Sequence, residues 1–170
     1  TEFLTSVVGL SDDELRVLSD CSTIIDGRPS WVDGWDYVCV NRDFSVPNTA
    51  LRATPQDPQL VSFDWGAAHI GPIEEDFDLL LGRDFKVDTT TQVMLVQRYL
   101  DVYAELTGSM IDYDLFMARI PWARLIVTLR YAIEHLNNLK WMQWESRSVH
   151  FIHLFIDLAK RISAEIELKE

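Results

Sequence analysis

Apolar residues recur at helical intervals from Leu15 through Leu18 and Cys21 or Ser22 to Ile25, and Ser11 with Glu14 forms a capping box ahead of them, so the spacing predicts a helix from Ser11 to about Ile25. The stretch Asp26–Asp36 holds two Gly, one Pro and three Asp around Trp31 and Trp35 and reads as a loop with exposed aromatics and acids. Tyr37–Val40 is a short β-prone run, and Thr49–Arg52 and Leu60–Phe63 flank the turn Thr54–Pro58 like the arms of a hairpin, giving about three short strands. After Gly71 the pattern is helical: Glu74 to Leu81, Thr91 to Leu106 ending at Gly108, Asp112 to about Leu139 with a bend at Pro121, and Ser146 to about Ile166. The expected class is α+β and mainly helical, with a small β-hairpin.

Composition narrows the function classes. The chain has 170 residues, 48% of them hydrophobic, and six Trp, five Tyr and eight Phe, which suits one packed domain rather than a disordered segment. Fifteen Lys and Arg stand against 27 Asp and Glu, a net charge of -12, so a nucleic-acid backbone would be repelled and a cationic ligand favoured. No apolar run reaches the roughly 18 residues of a membrane span, and the start lacks the basic-then-apolar pattern of a signal peptide, so a cytoplasmic protein with neither nucleic-acid nor membrane partners is expected. Cys21 and Cys39 follow no metal-ligand spacing; reduced thiols are the plain reading, with a single disulfide the alternative. The chain begins with Thr1, which points to a piece of a longer product.

Candidate chemistry gathers at the strand ends. Asp43, Asn48 and Asp64 are an acid, an amide five residues later and a second acid beyond the hairpin. If the two arms pair symmetrically about Gln56, Asn48 lies opposite Asp64 and the hairpin delivers an amide and a carboxylate side by side. That pair suits Mg²⁺, which takes oxygen ligands and is completed by waters and substrate phosphates. Asp43 is then placed to accept a proton from a hydroxyl that attacks phosphorus.

At these residues the chain resembles the aminoglycoside phosphotransferase and choline-kinase-like family, relatives of the protein kinases. Asn41-Arg42-Asp43, Asn48 and Asp64-Trp65 fall where the family has its catalytic loop and its metal loop, and Ile70-Gly-Pro-Ile-Glu-Glu-Asp76 and Tyr103–Gly108 are similar to its later motifs. Residues 37 to 135 carry the resemblance. It implies the C-terminal lobe of a kinase-like fold, an ATP- and Mg²⁺-dependent phosphotransferase acting on a hydroxyl of a small aminoglycoside-, choline- or sugar-like acceptor. It further implies Asp43 as catalytic base, Asn48 and Asp64 as metal ligands, and Asn41 and Asp76 as support of the catalytic loop. Asn41 replaces the family's His and Arg42 its Gly, as in protein kinases. No Gly-rich phosphate-covering loop and no strand Lys with a helix Glu occurs among the seven Gly and four Lys, so a nucleotide-covering N-terminal lobe is expected as a partner outside this segment, and the segment alone is expected to be inactive.

Other signals have plainer readings. Glu74, Glu75, Asp76 and Asp78 read as a solvated helix start, ahead of a cationic-substrate site. His150 and His153 lack a third ligand and read as surface or core histidines. Trp122, Trp141 and Trp144 read as core, while Asp33 and Asp36, beside the loop Trp residues, are candidates for holding a substrate ammonium group. Two other function classes remain open: a degenerate pseudokinase or scaffold, and a non-catalytic helical interaction domain.

Overall fold

A computed structural model of the chain describes residues 8–41, 46–52, 59–78, 88–142 and 145–168. The chain is α+β and mainly helical. It divides into two compact units, Thr1–Asp33 with Arg124–Glu170, and Gly34–Ala123. Among the described residues, no helix is long and apolar enough to cross a membrane.

In the first unit, α1 (Asp12–Asp26) starts at the predicted capping box: the Glu14 N–H donates to Ser11 Oγ at 3.3 Å and the Ser11 N–H to Glu14 Oε2 at 2.8 Å. These bonds satisfy donors that the first turn cannot pair internally. α1 packs on α5 (Glu145–Glu167), and Val8, Leu10, Leu139, Ile152 and Ile156 form a core with Leu15 and Leu18 of α1 against it. His153 joins the two helices by bonding Glu14, and its other ring nitrogen lies 3.3 Å from the Val8 carbonyl, so it belongs to the packing while His150 is exposed. Cys21 is buried beside Ser163 at 3.2 Å and Cys39 is exposed; both are free thiols. The latter part of α4 (Tyr113–Met142) completes this unit, stacking Tyr131 on Phe155 with ring centroids 5.4 Å apart. α4 runs through Pro121, where one backbone donor is missing.

Among the described residues of the second unit, four strands form two small antiparallel sheets. β1 (Tyr37–Val40) pairs with β4 (His69–Pro72), and β2 (Thr49–Arg52) with β3 (Gln59–Ser62). β4 was not expected from its sequence, because Gly71 and Pro72 disfavour a strand; pairing with β1 overrides that local preference. α2 (Glu74–Asp78), α3 (Thr89–Thr107) and the first part of α4 surround a core of Phe77, Val96, Leu100, Phe116 and Ile120. Phe77 meets Phe116 edge to face with centroids 5.2 Å apart. α3 is capped at both ends, by the Asp88 carboxylate on the Thr91 N–H at 3.0 Å and by Gly108 at φ 72°. The positive φ is where Gly avoids the Cβ clash and lets its N–H close the last turn on the Ala104 carbonyl. Trp122 is buried, as its core reading requires, whereas the side chains of Trp141 and Trp144 lie outside the described residues.

Candidate functional site

The two sheets are nested: β1 and β4 form the outer pair, β2 and β3 the inner one. The chain therefore crosses between sheets twice, from Val40 to Thr49 and from Ser62 to His69. Because Val40 pairs with His69 and Thr49 with Ser62, both crossings begin and end side by side. Asp43 belongs to the first crossing and Asp64 to the second. Asp43 itself, with Arg42, Phe44 and Ser45, lies outside the described residues.

The hairpin register differs from the symmetric expectation by one residue. Thr49 faces Ser62, and the Phe63 N–H donates to the Asn48 carbonyl at 3.0 Å, so Phe63 rather than Asp64 lies across from Asn48. The symmetry axis falls between residues 55 and 56, not on Gln56, because β3 begins at Gln59, one residue earlier than expected. Asp64 is the residue just past this closing bond, with its carboxylate exposed and its backbone at φ 58°. An L-residue in this left-handed region is disfavoured by on the order of 1 kcal/mol, and such residues gather at functional sites.

Hydrogen bonds tie the two crossings together. Asn41, buried at 1% exposure, opens the first crossing. Its N–H donates to Asp76 Oδ2 at 2.9 Å, and its side-chain amide donates to Ser62 Oγ at 3.1 Å. Trp65 folds back so that its indole N–H donates to the Ser62 carbonyl at 3.1 Å. Ser62 is thus the point where both crossings are held, and the sequence reading did not single it out. A Ser at a strand end carries no signal of its own; only the pairing of β3 beside Asn41 brings it into use.

The acidic start of α2 is not solvated. Glu74 and Glu75 are 2% and 3% exposed, which overturns the surface reading of this run. Glu75 pairs with His69 Nε2 at 3.0 Å. Burial pushes the Glu74 carboxyl up to about 7 against the pull of its own backbone N–H and of Arg119, with Asp36 and Glu75 adding to the rise. Gly71 leaves room for this pair: a Cβ would come within 2.8 Å of His69 Nε2, 3.1 Å of Glu75 Oε1 and 3.2 Å of Val40 Cγ2, and those side chains would have to shift.

The two acids put forward for an ammonium group have separate partners. Asp33 belongs to the first unit and accepts from Arg28 Nε at 2.8 Å. Asp36 belongs to the second and accepts from the Tyr103 phenol, which is thereby pushed up. An acid already bonded to its neighbours is a weaker ammonium ligand than the loop composition suggested.

Hard-cation chemistry fits the donor set at the crossings, since Asn48 and Asp64 offer an amide and a carboxylate oxygen on adjoining segments. Among the described residues no three His, Cys, Asp or Glu side chains gather in a metal-holding group. A Mg²⁺ held by one carboxylate, one amide and phosphate oxygens does not need such a group. Comparison of the chain with protein-family models, with curated proteins and with solved structures finds no match.

Proposed function

We propose that this chain is the C-terminal lobe of a kinase-like phosphotransferase that moves the γ-phosphoryl group of ATP to a hydroxyl of a small molecule. The observation that carries the reading is the pair of sheet crossings, tied through Asn41 and Ser62, that bear Asp43 on one side and Asp64 on the other. Phosphoryl transfer is catalysed almost entirely by positioning and charge stabilisation, so a proton acceptor and a metal ligand on separately anchored but mutually bonded loops is the arrangement it needs.

In this reading Asp43 orients the acceptor hydroxyl and takes its proton as the oxygen attacks phosphorus in line. Asn48 and Asp64 hold Mg²⁺, which neutralises charge on the phosphate oxygens. Asp76 fixes the Asn41 N–H and so the entry to the Asp43 segment, and Asn41 stands in for the family's His by reaching Ser62 with its amide. Leu51 and Leu60 are cross-strand partners and both exposed, an apolar face that a nucleotide-covering lobe would bury. The acceptor is a small hydroxylated compound, and the acidic balance of the chain favours a cationic one.

The test is Mg²⁺-dependent transfer of labelled γ-phosphate, by the chain joined to its natural flanking sequence, to a panel of aminoglycosides, choline and sugars. Asp64→Ala should weaken Mg²⁺–nucleotide binding as well as turnover, and raised Mg²⁺ should recover part of the loss. Nucleotide binding that is indifferent to Mg²⁺ would favour the second reading, a scaffold that keeps the fold without the chemistry, for which the replacement of the family's His by Asn41 is the specific observation.

A further inference from the structure

α2 opens with three consecutive acids whose surroundings differ. Glu75 has His69, and Asp76 has the Asn41 N–H. Glu74 is buried; its carboxyl accepts from its own backbone N–H, but its Oε2 lacks a hydrogen-bond partner among the described residues. The charges that act on it come from each neighbouring element: Arg119 of α4, Asp36 from the segment before β1, and Glu75 on α2 itself. Tyr99 and Tyr103 of α3 also feel the Glu74 charge, and Tyr103 is bonded to Asp36. Two carboxylates thus raise the cost of ionising Glu74 and one guanidinium lowers it.

A negative charge added at Glu74 has few ways to relax. The residue is 2% exposed, and its enclosed Oε2 has no partner among the described residues to take up the charge. A buried carboxylate that meets two like charges is costly, and Asp76, which holds the Asn41 N–H, sits two residues along the same turn, so strain at Glu74 is passed to that bond. We infer that Glu74 is a proton-operated latch on the brace between α2 and Asn41: neutral, it lets Asp76 hold the Asn41 N–H, and ionised, it loosens that bond and with it the hold on Asn41. The latch rests on this packing and these hydrogen bonds; only its effect on turnover depends on the phosphotransferase reading.

The direction follows from linkage. A carboxyl raised from 4.5 to about 7 by folding keeps, in the folded state, a proton that the unfolded chain has already lost. Its contribution to stability is therefore present below pH 4.5, falls as pH rises to about 7, and is level above. Glu74 alone should raise the unfolding equilibrium constant by roughly 10²-fold between pH 5 and 8.

The experiment follows the Glu74 side-chain carboxyl by ¹³C NMR across pH 3–9 in the chain itself, and the exchange protection of the Asn41 amide, corrected for intrinsic rate, at pH 6 and 8. The carboxyl should titrate well above the usual carboxylate range, and Asn41 should lose about tenfold or more of its protection by pH 8. Glu74→Gln, neutral at both pH values, should keep it. A carboxyl titrating in the ordinary range, or an equal loss of protection in Glu74→Gln, overturns the latch. Should Glu74→Gln fail to fold, Asp36→Asn removes one like charge and must move the Glu74 midpoint to lower pH; an unmoved midpoint overturns it equally.

Discussion

The two units bury different chemistry. In the first, the polar side chains buried among the described residues are the hydroxyls of Thr128, Ser148 and Ser163, while Ile152, Ile156, Ile162 and Leu125 are among its buried apolar side chains. In the second, Asn41, Glu74, Glu75 and Arg119 are buried, as are the core aromatics Phe77 and Phe116. A helical hydroxyl satisfies itself on the preceding turn, as Ser163 does on the Ala159 carbonyl at 2.9 Å, and adds little to the cost of burial. Buried charges and amides instead require partners brought from elsewhere in the chain, and a missing partner costs several kcal/mol per ion. The first unit therefore has the makeup of a hydrophobic support, and the second keeps groups that packing alone does not explain.

The sharpest way to break this contrast is a substitution expected to affect chemistry without affecting folding. On the proposed phosphotransferase function, Asp43→Asn in the chain joined to its natural flanking sequence should lower phosphotransfer by about 10²–10⁴-fold with the melting temperature unchanged, because it would remove the proton acceptor but keep its shape. Wild-type turnover in that variant would leave the scaffold reading standing. In the other unit, Ile152→Ala should cost about 2–5 kcal/mol in denaturant unfolding, through lost burial and the cavity left behind. Turnover per folded molecule should stay within about twofold, and a larger fall would show that the units do not divide chemistry from support as their interiors suggest.

Smaller effects sharpen the same comparison. Asp76→Ala leaves the Asn41 N–H without its acceptor and should cost about 1–3 kcal/mol, with amide exchange rising first at Asn41. Gly71→Ala should cost a similar ~1–3 kcal/mol by overpacking His69 and Glu75, read as a lowered urea midpoint at unchanged m-value. Ser11→Ala, which removes only one half of a surface cap, should cost about 1 kcal/mol and leave every property of the second unit unaltered.

Legibility in the sequence follows the same division. α1 and its capping box, and the helices α3, α4 and α5, lie within a few residues of the spans predicted from periodicity and capping, because those signals are local. β4 was hidden, since His69-Ile-Gly-Pro72 has no strand character until β1 lies beside it. The hairpin arms were visible, but their register was missed by one residue: apolar alternation over four residues constrains pairing weakly, and the turn residues alone do not locate the symmetry axis.

At the candidate site, the sequence determined which residues have the right chemistry. Asp43, Asn48 and Asp64 are a proton acceptor and two oxygen ligands by residue type, and Asn41 and Asp76 could be paired as loop supports only through resemblance. Tertiary structure alone decided that Asn41 reaches Asp76 across 35 positions and Ser62 across 21, and that Glu74 and Glu75 are interior. The physical reason is range. A capping box or a helical stripe is completed by residues three or four positions apart, so its energy is written locally. The burial of a carboxylate depends on which distant groups surround it. For Glu74 these are Arg119 and Asp36, 45 and 38 positions away, which share its environment only once the nested sheets and α2, α3 and α4 have assembled.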